Sequence, residues 1–234
     1  MIFLTGGSGN LGKALLRNSG SRKVLSPTRS SFDIKTGDLS KYRGISVLIH
    51  AAALTRPMSG HEIFPDTSIR ANIMATARLA NQCYLSKIKI VYISTDYVYS
   101  GTTGNYKETD PLSPVNAYGW SKLGGECSVR MISDHLILRC ALAETPFPHV
   151  SAFYDVYKSY ISMDEASKKI WKLIDLDAKG IFNIGGPRKS IYDYALAENK
   201  NVTRASVKSY TGPSNVAKDC SMDISKYDQF VSKI

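Results

Sequence analysis

Short apolar runs alternate with amphipathic stretches along most of the chain. "IFLT" opens it, a polar turn follows, and "LGKALLRN" then carries Leu11, Ala14 and Leu15 at helical spacing. "KVLS" and "SVLIHAAA" read as further strands on either side of a polar stretch, residues 27–41. Over residues 66–84, Ile69, Ile73, Ala77 and Ala80 recur at steps of three or four, which predicts a helix with that face buried. "IKIVYIST" is the next strand. A turn-rich segment, residues 100–116, leads into a helix through Lys122 and Glu126. "HLILRC" and "GIFNIGG" are later strands, separated by the helical pattern "MDEASKKIWKLIDL". Apolar strands that alternate with amphipathic helices imply βαβ units and a parallel sheet covered on both faces. Past Arg139 the pattern loosens into aromatics, prolines and polar residues. We therefore expect a sheet domain over residues 1–139. Residues 140–234 should form a mixed region, a small lobe capping the sheet's carboxyl edge plus strands that return to the sheet.

Composition narrows this only a little. Of the 234 residues 43% are hydrophobic and 21% charged, enough for a sizeable core. No apolar run approaches the ~20 residues that span a bilayer, so no membrane role is expected. The start "MIFLTGGSGN" reads as a first strand rather than a signal peptide. Cys83, Cys127, Cys140 and Cys220 are scattered, with no CxxC pair, as in a cytoplasmic protein with reduced thiols, no zinc site and no disulfide frame. The formal charge of +10 favours anionic partners, but the basic residues are spread along the chain and no nucleic-acid motif accompanies them. A phosphate-bearing small molecule suits the same field.

"TGGSGNLG" sets Gly6, Gly9 and Gly12 three apart, between the first strand and the first helix. Such a turn lets Gly6 bend tightly, Gly9 admit a pyrophosphate close to the backbone, and Gly12 pack helix on strand. Ser8, Asn10 and Leu11 complete the turn at the helix N-terminus, whose N–H groups attract anions. A dinucleotide is the expected ligand, on a Rossmann-type doubly wound α/β sheet. At the end of the second strand "SPTRSS" offers Arg29 and no acid before Asp33, which favours NADP, with NAD still possible. Asp38 and Leu39 stand where a turn contacting adenine would lie. Ala51, Ala52 and Ala53 end a strand with small side chains that a flat cofactor can cross.

In "NAYGWSKLGGE", Tyr118 and Lys122 lie four apart, on one helix face. A phenol ionises near 10, and a neighbouring ammonium lowers that, bringing the Tyr into range as an acid or base. "VYISTDYVYSG" places Thr95 at a strand end, where its hydroxyl can hold a substrate oxygen. The three together in this order point to carbonyl–alcohol redox chemistry.

On these residues, with "GDLS", "HAAALT", "ANIMAT", "LILR" and more weakly "GIFNIGGPRKSIYDYA" and "SMDISKY", the chain resembles the extended short-chain dehydrogenase/reductases. Within them it is most similar to the dTDP-4-dehydrorhamnose reductase group. The resemblance implies that Tyr118 is the general acid and that Lys122 binds the nicotinamide ribose and tunes it. Thr95 would hold the carbonyl, Asn72 would support a water-linked proton path, and Asp96 and Tyr97 would face the sugar. It further implies NADP-dependent reduction of a 4-keto-6-deoxy nucleotide sugar, and a homodimer as in some members; no metal-ligating residues can be picked out from the sequence. The related dehydratases carry Thr-Asp-Glu where this chain has Thr95, Asp96 and Tyr97, which favours a reductase. A nucleotide-sugar epimerase, another carbonyl reductase and a cofactor-binding regulatory subunit remain alternatives. The stretch after Arg139 is short for the group and lacks its sugar-packing aromatic. Phe147, His149, Phe153 and Tyr154 are read as packing residues, and His50 and His61 as ordinary strand-end and loop histidines.

Overall fold

The computed structural model describes residues 1–233. Six parallel strands form its centre: β1 (Ile2–Thr5), β2 (Val24–Leu25), β3 (Val47–His50), β4 (Lys89–Thr95), β5 (His135–Cys140) and β10 (Gly180–Ile184), in the spatial order β2-β1-β3-β4-β5-β10. Alternate strand residues face opposite sides. Leu4, Ile49, Val91 and Leu138 pack into one layer. Their neighbours Phe3, Leu48, Tyr92 and Ile137 pack into the other. Both faces are apolar because both are covered by helices.

The first layer is closed by α1 (Asn10–Arg17), α6 (Met163–Asp175) and α8 (Ser225–Val231). The Trp171 indole N–H of α6 donates to the Leu15 carbonyl of α1 at 3.0 Å. Ser162 and Glu165 form a capping box that starts α6. The second layer is closed by α4 (Ala75–Leu85) and α5 (Ala117–Arg130), preceded by the short helices α2 (Met58–Ile63) and α3 (Pro65–Ser68).

Between α3 and α4, Ile69–Met74 is a π-helical segment. It displaces most of the buried face expected for residues 66–84. Ile69 is 44% exposed and Ile73 and Ala77 are half-buried; of the expected four only Ala80 is buried, alongside Asn72, Ala75, Thr76 and Leu79. A π turn takes an extra residue, so a spacing of three or four read across it slips to a different face.

The lobe holds β6 (Leu142–Ala143), β7 (Ser151–Phe153), β8 (Tyr157–Lys158), β9 (Ile161–Ser162), β11 (Lys189–Ser190), α7 (Ile191–Glu198) and β12 (Thr203–Ala205), paired in three two-stranded ribbons. Among residues past Cys140, α6, β10 and α8 pack with the main body, as do Leu142 of β6 and Ile161 of β9, whereas Ala152 of β7, Ala195 of α7 and Val202 form a separate small core. The sheet's order reverses between β1 and β3. The crevice at that switch point is where open α/β sheets take their ligands.

Candidate active site

A cleft of about 760 Å³ opens at the switch point, lined by Thr5 to Gly9, by Ser26 to Arg29, by Phe32 to Lys35 and by Ala51 to Leu54. Gly6 makes the turn possible. It sits at φ +78°, and a Cβ there would stand 2.6 Å from the Ala52 amide nitrogen. The glycine turn, Arg29 and the three alanines thus share one cleft. Asn10 and Leu11 do not line it, since Leu11 turns into the core and Asn10 is exposed. Asp38 and Leu39, expected to contact adenine, do not line this cleft. Leu39 is 1% exposed in the core, its amide donates to Gln82 Oε1, and Asp38 caps its own short turn through Ser40 N. Phe32 to Lys35 line that side instead. Asp33 faces the cleft too, with its carboxylate 3.9 Å from the exposed Arg29 guanidinium.

At the far end, β4 stops at Thr95, whose oxygen accepts the Tyr97 amide at 3.3 Å. The Asn116 side chain caps α5 by accepting from Gly119 N at 2.9 Å. One helical turn then separates Tyr118 from Lys122. Close approach of α5 to β4 needs Gly125, where a Cβ would fall 2.3 Å from the Tyr92 hydroxyl. Asn72 cross-links the assembly. It accepts from Leu54 N and donates to Leu54 O and to Ser121 Oγ, at 2.8–2.9 Å. Both its N–H donors are therefore committed.

The electrostatics differ from the sequence argument. Burial pushes the Tyr118 phenol above its ordinary range, opposed by the Thr95 hydroxyl and reinforced by Asp96 and Tyr97. Burial also pushes Lys122 down to about 7, with Glu126 holding it up. The ammonium expected to lower the phenol is thus weakened by the same desolvation, and its nitrogen rests 4.2 Å over the Tyr92 ring. Part of the Tyr118 ring stays accessible while Lys122 is buried.

Three groups stand otherwise than the sequence suggested. His61, read as a loop histidine, is fully buried on α2, with Nδ1 2.8 Å from Ser68 Oγ and its ring 5.1 Å from that of Tyr118. Lys158, in the lobe, pairs with Asp96 at 2.8 Å. A second cleft, about 650 Å³, is lined by Phe147, His149 and Phe153 with Arg56, Tyr160 and Tyr210. Three of the four aromatics expected to be packing residues therefore border open space. Tyr154 lies apart, beneath Arg204. No spacing rule marks any of these, because each depends on contacts between distant segments. His50 is the buried strand-end residue it was read to be, held between Thr5 and Thr76 and pushed down to about 3 by burial and Lys122. Among the described residues no cluster of three metal-ligating side chains occurs, and no helix is long and apolar enough to cross a membrane.

A glycine turn at the switch point of a parallel sheet, with a Tyr and a Lys on the helix beside it, defines a nucleotide-binding α/β protein of the short-chain dehydrogenase/reductase type. The model of the RmlD substrate binding domain matches residues 1–143, more than half of the chain, and the chain belongs to that family. It is 31% identical over 146 residues to the dTDP-4-dehydrorhamnose reductase of Aggregatibacter actinomycetemcomitans, covering 58% of this chain and 49% of the other. It is 40% identical over 83 residues to methionine adenosyltransferase 2 subunit beta of Bos taurus, covering 36% of this chain and 25% of that one. The chain thus spans between a quarter and half of these curated relatives. Among solved structures, a hypothetical dTDP-4-dehydrorhamnose reductase from Sulfolobus tokodaii superposes with a TM-score of 0.86 at 28% identity, covering 97% of this chain and 93% of the other.

Proposed function

We propose that the protein reduces the keto group of a 4-keto-6-deoxy nucleotide sugar with NADPH. The observation that carries this is that the Gly6 cleft and Thr95 lie at the carboxyl ends of parallel strands of one sheet, with Tyr118 and Lys122 on the helix packed against β4. The cleft suits a dinucleotide, since its glycine turn leaves no room for a side chain at Gly6 and the N-terminus of α1 opens on it. A nicotinamide cofactor held there would supply a hydride for the carbonyl carbon. Tyr118 gives its phenolic proton to the carbonyl oxygen, Thr95 holds that oxygen, and Lys122 would hold the cofactor's ribose hydroxyls. Residues 1–139 carry the cofactor in this reading, and residues 140–234 supply the substrate side through the second cleft. Arg56 at its rim suits the diphosphate. A cytoplasmic homodimer without resident metal completes the proposal.

The test is loss of NADPH absorbance on adding a dTDP-4-keto-6-deoxy sugar, repeated with NADH. Consumption of NADPH in preference to NADH supports the reading. Absence of turnover with tight cofactor binding would favour the regulatory alternative, which the likeness to the methionine adenosyltransferase beta subunit keeps in view. Arg29→Ala is expected to weaken NADPH binding about tenfold and leave NADH within twofold, because a charge-assisted hydrogen bond to a 2′-phosphate is worth about 1.5 kcal/mol. Fluorescence titration measures both affinities. Equal weakening of the two cofactors would remove Arg29 from that role.

A further inference from the structure

Lys158 is 1% exposed, and it comes from the lobe rather than from the sheet. Its ammonium donates to Asp96 Oδ2 at 2.8 Å and lies 3.6 Å over the Tyr97 ring. The other Asp96 oxygen, Oδ1, accepts from the Thr95 hydroxyl at 3.1 Å. Tyr97 in turn stands edge-on to Tyr118, with ring centroids 5.7 Å apart. One buried cation therefore reaches Thr95 through a carboxylate and Tyr118 through a ring.

We propose that Lys158 is a positioning residue for the Thr95 hydroxyl and the Tyr97 wall. The inference rests on the reductase reading above. An ionised carboxylate only accepts, so Asp96 draws the Thr95 proton toward itself and away from a substrate oxygen. Sharing the carboxylate's charge with an ammonium weakens that hold and leaves the hydroxyl free to turn. Burial works against a charged Lys158, but Asp96 beside it lifts the ammonium well above its ordinary range, so it stays charged throughout the working pH range. The groups facing it are Asp96, Tyr97, Tyr160 and Cys220.

The experiment measures kcat, KM and cofactor affinity for Lys158→Met and Lys158→Arg. For Lys158→Met, kcat is expected to fall about tenfold with KM and cofactor affinity within twofold of wild type. Lys158→Arg should recover most of the rate, because it returns a cation to Asp96. A folded Lys158→Met with kcat within twofold, or a Lys158→Arg that recovers nothing, overturns the proposal. Should Lys158→Met not fold, Lys158→Gln keeps a donor toward Asp96 without the charge. The same loss of kcat at unchanged KM is expected of it, and a kcat within twofold overturns the proposal equally. If wild type turns over no keto-sugar, the reductase reading has failed. Lys158 is then judged without substrate, from the ¹³C resonance of the Thr95 methyl group. That signal should shift in Lys158→Gln and hold in Lys158→Arg; no shift in Lys158→Gln rejects the link.

Discussion

Tyr118→Phe is expected to reduce the keto-sugar about a thousandfold more slowly than wild type while binding NADPH with unchanged affinity. General acid catalysis contributes roughly 10²–10⁴ in rate, and the phenol is the donor that the proposed geometry offers to the carbonyl oxygen. The ring itself is held by its surroundings, with His61 on one side and Tyr97 on another. Phe keeps those contacts, so the loss should appear in kcat and not in stability. Burial holds the phenol above its ordinary range, so it stays protonated near neutral pH but is a weaker acid than a free phenol. Single-turnover decay of NADPH absorbance separates chemistry from product release. A Tyr118→Phe protein that reacts within tenfold of wild type would remove Tyr118 as the acid.

Glu126→Ala should cost about 3–5 kcal/mol of stability, the usual result of leaving a buried charge without its partner. Glu126 and Arg139 have side chains 0% and 1% exposed, joined at 2.9 Å. Glu126 also accepts from Ser94 Oγ at 2.5 Å, and Arg139 donates to the Tyr99 hydroxyl at 3.0 Å and to the Glu108 carbonyl at 3.1 Å. The substitution therefore leaves Arg139 desolvated and Ser94 without its acceptor, at the carboxyl ends of β4 and β5. For a chain of this size the thermal midpoint should drop by roughly 10 °C, since 1 kcal/mol moves it by about 2–4 °C. Differential scanning calorimetry with a urea titration measures it. A second consequence distinguishes this pair from an ordinary core contact. Glu126 is the group that holds Lys122 up against burial. Removing it lowers Lys122 further, so in the folded fraction the ammonium and the cofactor affinity that depends on it should be lost at a lower pH than in wild type. A loss below 1 kcal/mol would mean that water reaches Arg139 in the variant.

The legible features of this protein are local ones. Unbroken apolar runs in "IFLT", "VLIH" and "KIVYIST" predict strands buried on both faces, and the structure builds them into a parallel sheet. The glycine turn is a backbone requirement within one loop, and the Tyr118–Lys122 spacing needs only one helix. Periodicity failed where the chain left regular geometry. The π-helical turn at Ile69–Met74 shifted the buried face.

The sequence by itself therefore determined the fold class, the cofactor-type turn and the helix that carries the Tyr and the Lys, because each depends on residues within one element or one turn. The tertiary structure alone decided what surrounds them. Lys158 reaches Asp96 across 62 residues, His61 meets Tyr118 from another helix, and Asp33 joins Arg29 at the cleft rim. It also decided the charge balance. Whether Lys122 lowers the Tyr118 phenol depends on how much water both lose, and desolvation is a property of the packed molecule that no spacing along the chain encodes.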